Sequence, residues 1–254
     1  MADPIPPPSA RLLLLEGRAL LELAALLPAY PFLRRAPKGD GHPVLVLPGF
    51  MASDFSTRAL RRFLRDKGYA THGWKLGRNL GPSAATINGM TERLQSLHAR
   101  YGRRVSLIGW SLGGIYSREL ARGMPELVRQ VITLASPFRD LDAVNVPRFL
   151  RRNAGRRTAV PDQAQVRARL REPLSVPTTA IVSRTDAIAS WRSCCTDPGP
   201  FSETLEVDSS HLGIGHHPVV LLTIADRLAQ AEGEWRPFAP PRGWRFPLVP
   251  RIVT

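Results

Sequence analysis

The chain has 254 residues, with 35 lysines and arginines against 21 aspartates and glutamates, which gives a formal net charge of +14. Its length and its hydrophobic content of 43% allow one large domain with a sizeable core, and they exclude a wholly disordered chain, a collagen-like repeat and a coiled coil. The two adjacent cysteines, Cys194 and Cys195, exclude a disulfide framework, and no segment approaches the roughly 20 continuous apolar residues of a membrane-spanning helix.

The first 36 residues combine a proline-rich start with a leucine-rich stretch. Residues 1–10 predict an extended arm, and residues 11–30 predict a helix that Pro28 ends. The charges of Glu16 and Glu22 favour an amphipathic helix that packs on the main domain, and the alternative is a helix that lies on a membrane surface. The stretch does not match the pattern of a secretory signal, so we expect a cytoplasmic protein, and the unpaired cysteines agree with that location.

From residue 41 onward, short apolar runs alternate with longer segments of helical period. The runs that predict strands are 42–47, 69–74, 104–108, 129–134, 178–183 and 203–207, and the segments that predict helices are 56–67, 83–101, 112–122 and 218–230. This alternation indicates an α/β protein with a mostly parallel sheet that is covered on both faces. Because such sheets carry their chemistry at the carboxyl ends of the strands, the residues that follow each strand are the candidates for function.

Residues 140–177 interrupt the alternation and predict an insertion over the functional edge of the sheet. Prolines divide this segment, and its apolar periodicity is weak. It contains Arg148, Arg151, Arg152, Arg156, Arg157, Arg167, Arg169 and Arg171. The segment is either a lid or cap over the site or a plain surface excursion, and the sequence leaves both interpretations open.

The positive charge comes from 32 arginines and only three lysines. The arginines are spread along nearly the whole chain, which favours a generally basic, solvated surface. The alternative is contact with an anionic membrane or an acidic substrate, and the arginines of the insertion favour that alternative. No nucleic-acid partner is expected, because the sequence contains no basic motif interleaved with aromatic residues.

The segment 109–114, Gly-Trp-Ser-Leu-Gly-Gly, is the most informative motif in the sequence. It matches the pattern G-x-S-x-G directly after a predicted strand and directly before a predicted helix, which is the context that a nucleophile elbow requires. Glycine is needed beside the serine because the tight turn leaves no room for a β-carbon. The motif therefore predicts that Ser111 is a nucleophile at the amino terminus of a helix, where the helix dipole favours a developing negative charge.

With this motif the chain resembles the α/β-hydrolase superfamily, and more closely the bacterial lipase/esterase-like serine hydrolases. The resemblance covers roughly residues 41–229 and rests on four short motifs, which are PGF after the first strand, GWSLGG, SRTD and SHLG. It implies a three-layer fold with a mostly parallel central sheet and helices on both faces. It also implies a catalytic triad in the chain order serine, acid, histidine, and this sequence has that order.

A serine hydroxyl needs a base that removes its proton during attack. His211 lies in the sequence SSHLG just after the last predicted strand, where the superfamily has its base. His216 and His217 are the alternatives, although they lie at the start of the closing helix. His42 and His72 lie within predicted strands and are expected to be structural.

The base needs a carboxylate that fixes its tautomer and stabilises its charged form. Asp186 follows the strand 178–183, which is the commonest position of the acid in the superfamily. Asp140 and Asp142 are the alternative, because some lipases have their acid after the preceding strand. Asp208 is too close to His211 along the chain to reach the far side of its ring easily.

An oxyanion hole requires two backbone N–H groups that meet the negative oxygen of the tetrahedral intermediate. Leu112, the residue after the serine, supplies one of them, and the resemblance implies that Phe50 supplies the other. The side chains of Trp110 and Trp191, together with Trp74 and Phe50, are tentative walls of an acyl pocket, although each could belong to the core. No metal site is predicted, because the cysteines and histidines lack the spacings of metal ligands.

The sequence therefore predicts a serine hydrolase of carboxylic esters that needs no cofactor and acts on a small-molecule or lipid ester. The alternatives are an acyltransferase or a thioesterase with the same triad, or a non-catalytic lipid-binding protein on a hydrolase scaffold. The predicted architecture is a single domain, with an amino-terminal arm and helix over 1–36 and the insertion over 140–177. The sequence indicates neither the length of the acyl chain nor the oligomeric state.

Overall fold

The computed structural model of the chain describes residues 5–146, 168–240 and 247–253. Within these residues the sheet has seven strands, in the spatial order β2-β1-β3-β4-β5-β6-β7. The strands are β1 (Pro43–Leu47), β2 (Ala70–Gly73), β3 (Val105–Trp110), β4 (Val128–Leu134), β5 (Thr178–Val182), β6 (Ser202–Glu206) and β7 (Arg251–Ile252). All neighbouring strands are parallel except β6 and β7, which are antiparallel. The predicted mostly parallel sheet is thus confirmed.

Helices cover the sheet and connect its strands. Those with described bounds include α1 (Ala19–Ala24), α2 (Leu26–Arg35), α3 (Arg58–Asp66), α4 (Ala84–Tyr101), α5 (Leu112–Gly123) and α6 (Pro218–Leu228), with 3₁₀ helices at Ala10–Arg18, Pro125–Leu127 and Trp191–Cys194. Ser83 accepts a hydrogen bond from the N–H of Thr86 and so caps the start of α4, and Gly102 ends it with a φ of 59°. Among the described residues, no helix has both the length and the apolar character needed to cross a bilayer.

The core lies on both faces of the sheet, as the continuous apolar runs predict. Every residue of β1, β3, β4 and β5 is buried, because helices lie over both sides of these central strands. One apolar cluster includes Val46, Ile108 and Ile224, and the other includes Leu45, Leu107 and Leu94. Successive residues of one strand thus enter opposite clusters, so both layers of helices are fixed against the sheet.

The topology brings the predicted site residues to one edge. β1, β3, β5 and β6 run in the same direction, and each ends shortly before a segment that the sequence marks as functional. β1 leads to Phe50, β3 to Ser111, β5 to Asp186 and β6 to His211. Because the carboxyl ends of parallel strands share one edge of a sheet, residues far apart in the sequence meet there.

Two features differ from the sequence-based expectation. The helix expected to end at Pro28 continues as α2 to Arg35, because Pro28 lies in the first turn of α2, where a residue without an N–H loses no helical hydrogen bond. β7 was not predicted, because a strand of two residues has no periodicity to detect. Most of the predicted insertion 140–177 lies outside the described residues, including Arg148 to Arg167.

Candidate active site

Ser111 occupies a strained turn between β3 and α5. Its φ is 53° and its ψ is −120°, a conformation that residues with a side chain rarely adopt. Its N–H donates a 2.8 Å hydrogen bond to the carbonyl of Leu134 at the end of β4, which holds the turn against the sheet. A strained residue of this kind persists only where its surroundings enforce it, and such residues cluster at functional sites.

The glycines of the motif are required by close packing of the backbone. A β-carbon on Gly109 would lie 2.3 Å from both the carbonyl oxygen of Gly113 and the Cα of Gly114. A β-carbon on Gly113 would lie 2.2 Å from the carbonyl oxygen of Leu47 in β1. Since these neighbours are backbone atoms, a side chain at either position would displace the turn that carries Ser111.

Asp186 and His211 are joined by a hydrogen bond. The distance between Nδ1 of His211 and Oδ2 of Asp186 is 2.7 Å, and the two side chains are 7% and 2% exposed. The other carboxylate oxygen, Oδ1, accepts 2.8 Å hydrogen bonds from the N–H groups of Ile188 and Ala189. The carboxylate is therefore fixed from both sides, and it orients the imidazole so that Nε2 stays available.

The charge on the site favours the protonated form of His211. Burial by itself lowers the pKa of this histidine, but the charge of Asp186, its hydrogen bond and the charge of Glu16 together outweigh burial. The net effect is a pKa above the ordinary value of 6.5. A base with a raised pKa accepts a proton more readily, and it is also protonated more readily when the pH falls.

Trp110 connects the nucleophile turn to the loop that carries His211, which we call the His211 loop (residues 207–217). Its indole Nε1 donates a 3.0 Å hydrogen bond to the carbonyl of His211. Its ring packs so closely on Gly215 that a β-carbon there would lie 2.3 Å from the indole. Since Trp110 directly precedes Ser111, these contacts fix the histidine backbone relative to the serine.

The loop after β1 lies against the serine. A β-carbon on Gly49 would lie 3.2 Å from the Cβ of Ser111, so Phe50 follows a residue whose backbone lies close to Ser111. The buried Asn79 holds this loop with two hydrogen bonds. Its side-chain Nδ2 donates to the carbonyl of Pro48 at 2.9 Å, and its backbone carbonyl accepts the N–H of Met51 at 2.7 Å. Sequence reasoning missed Asn79, because no motif marks a residue that acts through backbone contacts.

The alternative acids and bases have other partners. Asp140 accepts hydrogen bonds from the N–H groups of Ile5 and Asp142, at 3.3 and 3.0 Å. Asp208 accepts from Thr185 at 2.9 Å. His216 bonds to the carbonyl of Ala19 at 3.0 Å, and His217 precedes α6 as its N-cap residue. His211 and Asp186 are the predicted base and acid that the structure brings together.

The two tryptophans named as tentative pocket walls lie in different surroundings. Trp110 is buried and contacts His216 edge to face, with ring centroids 6.4 Å apart. Trp191 is half-buried, and the guanidinium groups of Arg184 and Arg192 lie over its ring at 3.9 and 4.6 Å from the centroid. Their assignment to an acyl pocket remains a prediction.

Two buried glutamates from the amino-terminal segment hold the His211 loop. Glu16 accepts hydrogen bonds from the N–H groups of His211 at 3.0 Å and Leu212 at 2.9 Å, and also from that of Ala187 at 3.1 Å. Glu22 accepts from the N–H of Ser210 at 2.8 Å and from its hydroxyl at 2.6 Å. We call Glu16 and Glu22 the carboxylate pair. The side chain of Glu16 thus accepts backbone hydrogen bonds next to the candidate acid and at the candidate base.

The carboxylate pair also explains the glycine in the sequence SHLG. A β-carbon on Gly213 would lie 1.4 Å from Oε2 of Glu22, so the glutamate occupies the space that a side chain at this position would need. Arg18 pairs with Glu22 at 3.2 Å and with Asp208 at 3.4 Å, and its guanidinium also contacts Thr185. The sequence does not reveal that Glu16 and Glu22 hold the His211 loop, because the two glutamates lie in a leucine-rich run far from the other site residues.

A second array of the same three residue types lies near the start of β1 and β3. Nδ1 of His42 is 2.5 Å from Oδ1 of Asp40, and Nε2 is 2.8 Å from the hydroxyl of Ser106. His42 and Ser106 are fully buried, and they lie at the amino ends of the strands, away from the edge that carries Ser111. Burial, followed by the charge of Arg129, lowers the pKa of His42 to about 4. His42 directly precedes β1, and its structural function remains a prediction.

The thiols and the candidate metal ligands do not form a site in the described part of the chain. Cys194 is buried and Cys195 half-buried, and neither forms a disulfide. Burial raises the pKa of Cys195 to about 11, so this thiol stays protonated near neutral pH. No group of three or more His, Cys, Asp or Glu side chains among the described residues is arranged to hold a metal ion.

Neither a protein-family model nor a curated protein matches the chain. Solved structures are similar to it. The mature form of Bacillus licheniformis lipase BlEst2 is similar with a TM-score of 0.56 and 15% identity, over 76% of this chain and 94% of that one. Paleococcus ferrophilus monoacylglycerol lipase is similar with a TM-score of 0.53 and 12% identity, over 75% and 96%.

An α/β hydrolase enzyme from the metagenome of sediments from the lagoon of Mar Chica, Morocco, has a TM-score of 0.51 and 18% identity. The match covers 74% of this chain and 90% of that one. These likenesses extend over most of each solved chain. The chain therefore has the α/β-hydrolase fold, and lipases and esterases are among its structural neighbours.

Proposed function

We propose that the protein is a serine hydrolase that cleaves carboxylic esters, with Ser111 as nucleophile, His211 as general base and Asp186 as the acid that orients it. The observation that carries this proposal is the buried 2.7 Å hydrogen bond between His211 and Asp186. The loop that carries His211 is bonded to Trp110, the residue before Ser111. The names of the structural neighbours, which include lipases and a monoacylglycerol lipase, support an ester as the substrate.

The reaction begins when Nε2 of His211 takes the proton of the Ser111 hydroxyl as its oxygen attacks the ester carbonyl. The new C–O bond converts the carbonyl oxygen to an oxyanion, which accepts hydrogen bonds from the N–H groups of Phe50 and Leu112. Within the described residues, no hydrogen bond uses the N–H of Phe50. Leu112 is the first residue of α5, where a helical N–H has no partner within the helix.

The tetrahedral intermediate then collapses. The bond to the alcohol oxygen breaks, and His211 gives its proton to the departing alcohol. A water molecule attacks the acyl-enzyme, loses its proton to His211, and releases the carboxylic acid when Ser111 regains that proton. Asp186 stabilises the charged imidazole in both halves of the cycle. The chemistry uses only groups of the chain and requires no cofactor.

The test compares two serines of the same protein. We expect a fluorophosphonate probe to label Ser111, and we expect the Ser111→Ala variant to lose labelling and p-nitrophenyl ester hydrolysis. The matched control is Ser106→Ala, which removes the serine bonded to His42 and leaves labelling in place. Full activity of Ser111→Ala would overturn the proposal. Incubation with an added alcohol separates hydrolysis from acyl transfer, because a transferase yields a new ester instead of the free acid.

A further inference from the structure

The amino-terminal helical segment buries its acidic side chains and exposes most of its leucines, although Leu33 is buried and Leu26 packs against the core. Over Ala10–Arg35, the acidic side chains Glu16 and Glu22 point into the protein and are buried. The exposed side chains include Leu14 at 88%, Leu27 at 81% and Leu20 at 75%. Ordinary surface helices have the reverse pattern, because exposed apolar area costs free energy in water.

The exposed apolar residues form a continuous series along the segment. We call them the leucine surface, and its largest members are Leu14, Leu20, Leu21, Leu27, Tyr30 and Phe32. Single exposed leucines are common on soluble proteins, but a contiguous set on one short segment marks a surface that binds a partner.

The charges around the leucine surface identify the kind of partner. Among residues 5–39, Glu16 and Glu22 are the acidic side chains, and both are buried, whereas Arg11, Arg34 and Arg35 are exposed. The surface that faces solvent is thus apolar with basic residues at both ends. An amphipathic helix with leucines and flanking arginines is the pattern that binds at an anionic lipid surface.

Charge also argues against a second copy of the chain as the occupant. The chain carries a net charge of +14, and basic residues flank the leucine surface, so two copies brought together through it would repel each other. An anionic bilayer supplies both an apolar interior for the leucines and negative headgroups for the arginines.

The leucine surface is linked to the candidate active site. The same segment carries Glu16, which bonds to the N–H groups of His211 and Leu212, and the Leu212 side chain is itself 55% exposed. A bilayer in contact with this segment would therefore lie beside the His211 loop.

We propose that the segment Ala10–Arg35 docks the protein on an anionic lipid bilayer through the leucine surface. A second statement rests on the proposed function, namely that the esters cleaved by Ser111 are those of lipids held in that bilayer. The docking itself does not depend on catalysis, so the two statements have separate tests.

The docking is tested by co-sedimentation of the full chain with vesicles. The probes are vesicles of equimolar phosphatidylglycerol and phosphatidylcholine, and vesicles of phosphatidylcholine alone. The test variant replaces Leu14, Leu20, Leu21 and Leu27 by serine, and the control variant replaces Phe201 and Leu248, which are exposed outside the segment. We expect the test variant to bind the anionic vesicles at least tenfold more weakly, and the control variant to bind like the wild type.

Two further measurements test whether charge contributes to vesicle binding and whether the variants are folded. Arg34→Glu with Arg35→Glu should weaken binding to anionic vesicles at least tenfold, since two favourable charges become unfavourable. Hydrolysis of a water-soluble p-nitrophenyl ester should stay within threefold of wild type in both variants, which shows that they are folded. Should both variants misfold, the wild type still decides the question. High salt should weaken its binding to anionic vesicles, and binding that salt leaves unchanged would contradict the proposal.

Three further results would overturn the docking proposal. They are a wild type that leaves anionic vesicles unbound, a serine variant that binds as tightly as the wild type, and a wild-type dimer that the serine variant converts to a monomer. The Ser111→Ala variant separates docking from catalysis, since we expect it to bind vesicles like the wild type and to cleave no ester. If the wild type binds vesicles but cleaves no ester, the proposed function fails and the docking stands.

Discussion

The carboxylate of Glu16 accepts a 3.0 Å hydrogen bond from the backbone N–H of His211, and the two residues are 195 positions apart in the sequence. The same carboxylate oxygen accepts the N–H of Ala187, the residue after Asp186. Glu16 thus holds the backbone beside both members of the proposed acid–base pair. It also places a negative charge near the imidazole, which helps to raise the pKa of His211. We regard it as a positioning residue.

Glu16→Gln should change both the rate and its pH dependence. The variant replaces one acceptor oxygen by an NH₂ group that faces a backbone donor, and we expect kcat/KM to fall about tenfold, with KM nearly unchanged. It also removes a negative charge, so the pKa of His211 should decrease and the acidic limb of the rate profile should move to lower pH.

The matched control for that experiment is Glu92→Gln, an exposed glutamate on α4. It should leave both the rate and the profile unchanged. A fall in activity of Glu16→Gln without movement of the acidic limb would contradict the electrostatic part of the prediction, and would leave Glu16 with a purely structural function.

On the proposed function, the wild-type protein should lose ester hydrolysis in mild acid. His211 acts as a base only when it is neutral, and its pKa lies above 6.5 because the attraction of Asp186 and Glu16 exceeds the effect of burial. The acidic limb of kcat/KM against pH, measured with a soluble ester, should therefore have its midpoint above pH 6.5. A midpoint at or below the ordinary pKa of histidine would argue against His211 as the base.

Asp186→Asn should abolish most of the catalytic power. The amide keeps the shape of the side chain but loses the charge, and it allows the wrong tautomer of His211, so we expect kcat to fall by about 10³ to 10⁴. Asp140→Asn serves as the comparison, since Asp140 bonds to the backbone N–H groups of Ile5 and Asp142 and not to a histidine. If steady-state kinetics showed the larger loss in Asp140→Asn, the assignment of the acid would be wrong.

Acid should destabilise the fold through His42. Burial lowers the pKa of His42 to about 4 from 6.5, so between these two pH values the unfolded chain binds a proton that the folded chain does not. Stability falls as the pH decreases from 6.5 to 4, by an amount on the order of 3 kcal/mol.

Urea unfolding of the wild type and of His42→Gln at several pH values measures this contribution. The pKa of His72 is also lowered to about 4 by burial, so the difference between the two proteins is the informative quantity. The variant should be less stable at neutral pH, and its stability should depend less on pH. Parallel curves for the two proteins would show that His42 does not cause the pH dependence.

Gly113→Ala should damage both stability and activity. Its β-carbon would lie 2.2 Å from a backbone oxygen of β1, and we expect a loss of stability of about 2 to 3 kcal/mol together with displacement of Ser111. Gly123→Ala at the end of the same helix is the control, because a β-carbon there meets nothing within 4 Å. Equal thermal stability and equal ester turnover in the two variants would contradict the packing argument.

Much of the fold follows from local patterns in the sequence. The predicted strand 129–134 and helix 83–101 match β4 and α4 to within one residue at each end, because continuous apolar runs and capping residues are local signals. The rule that functional residues follow strands selects Ser111, Asp186 and His211, and the structure brings Asp186 and His211 into contact. Their catalytic function remains a prediction.

The remaining features depend on contacts between distant parts of the chain. The leucine-rich run indicates a helix, but its sequence does not show that Glu16 and Glu22 point inward, because the donors that bind them are residue 187 and residues 210–212. Asn79 holds the loop that carries Phe50 by hydrogen bonds to backbone atoms of that loop, and such bonds require no particular side chain that the sequence could show. The two-residue β7 pairs with β6 from far along the chain.

The distance along the chain between the carboxylate pair and the His211 loop also bears on biosynthesis. Glu16 and Glu22 are translated before the backbone N–H groups that they bind, which follow 171 to 196 residues later in the sequence. A nascent chain therefore contains the nucleophile turn well before it can hold a base in place. On the proposed function, the catalytic triad is completed only when the loop after β6 has been translated, so a product that ends before this loop would lack the proposed base.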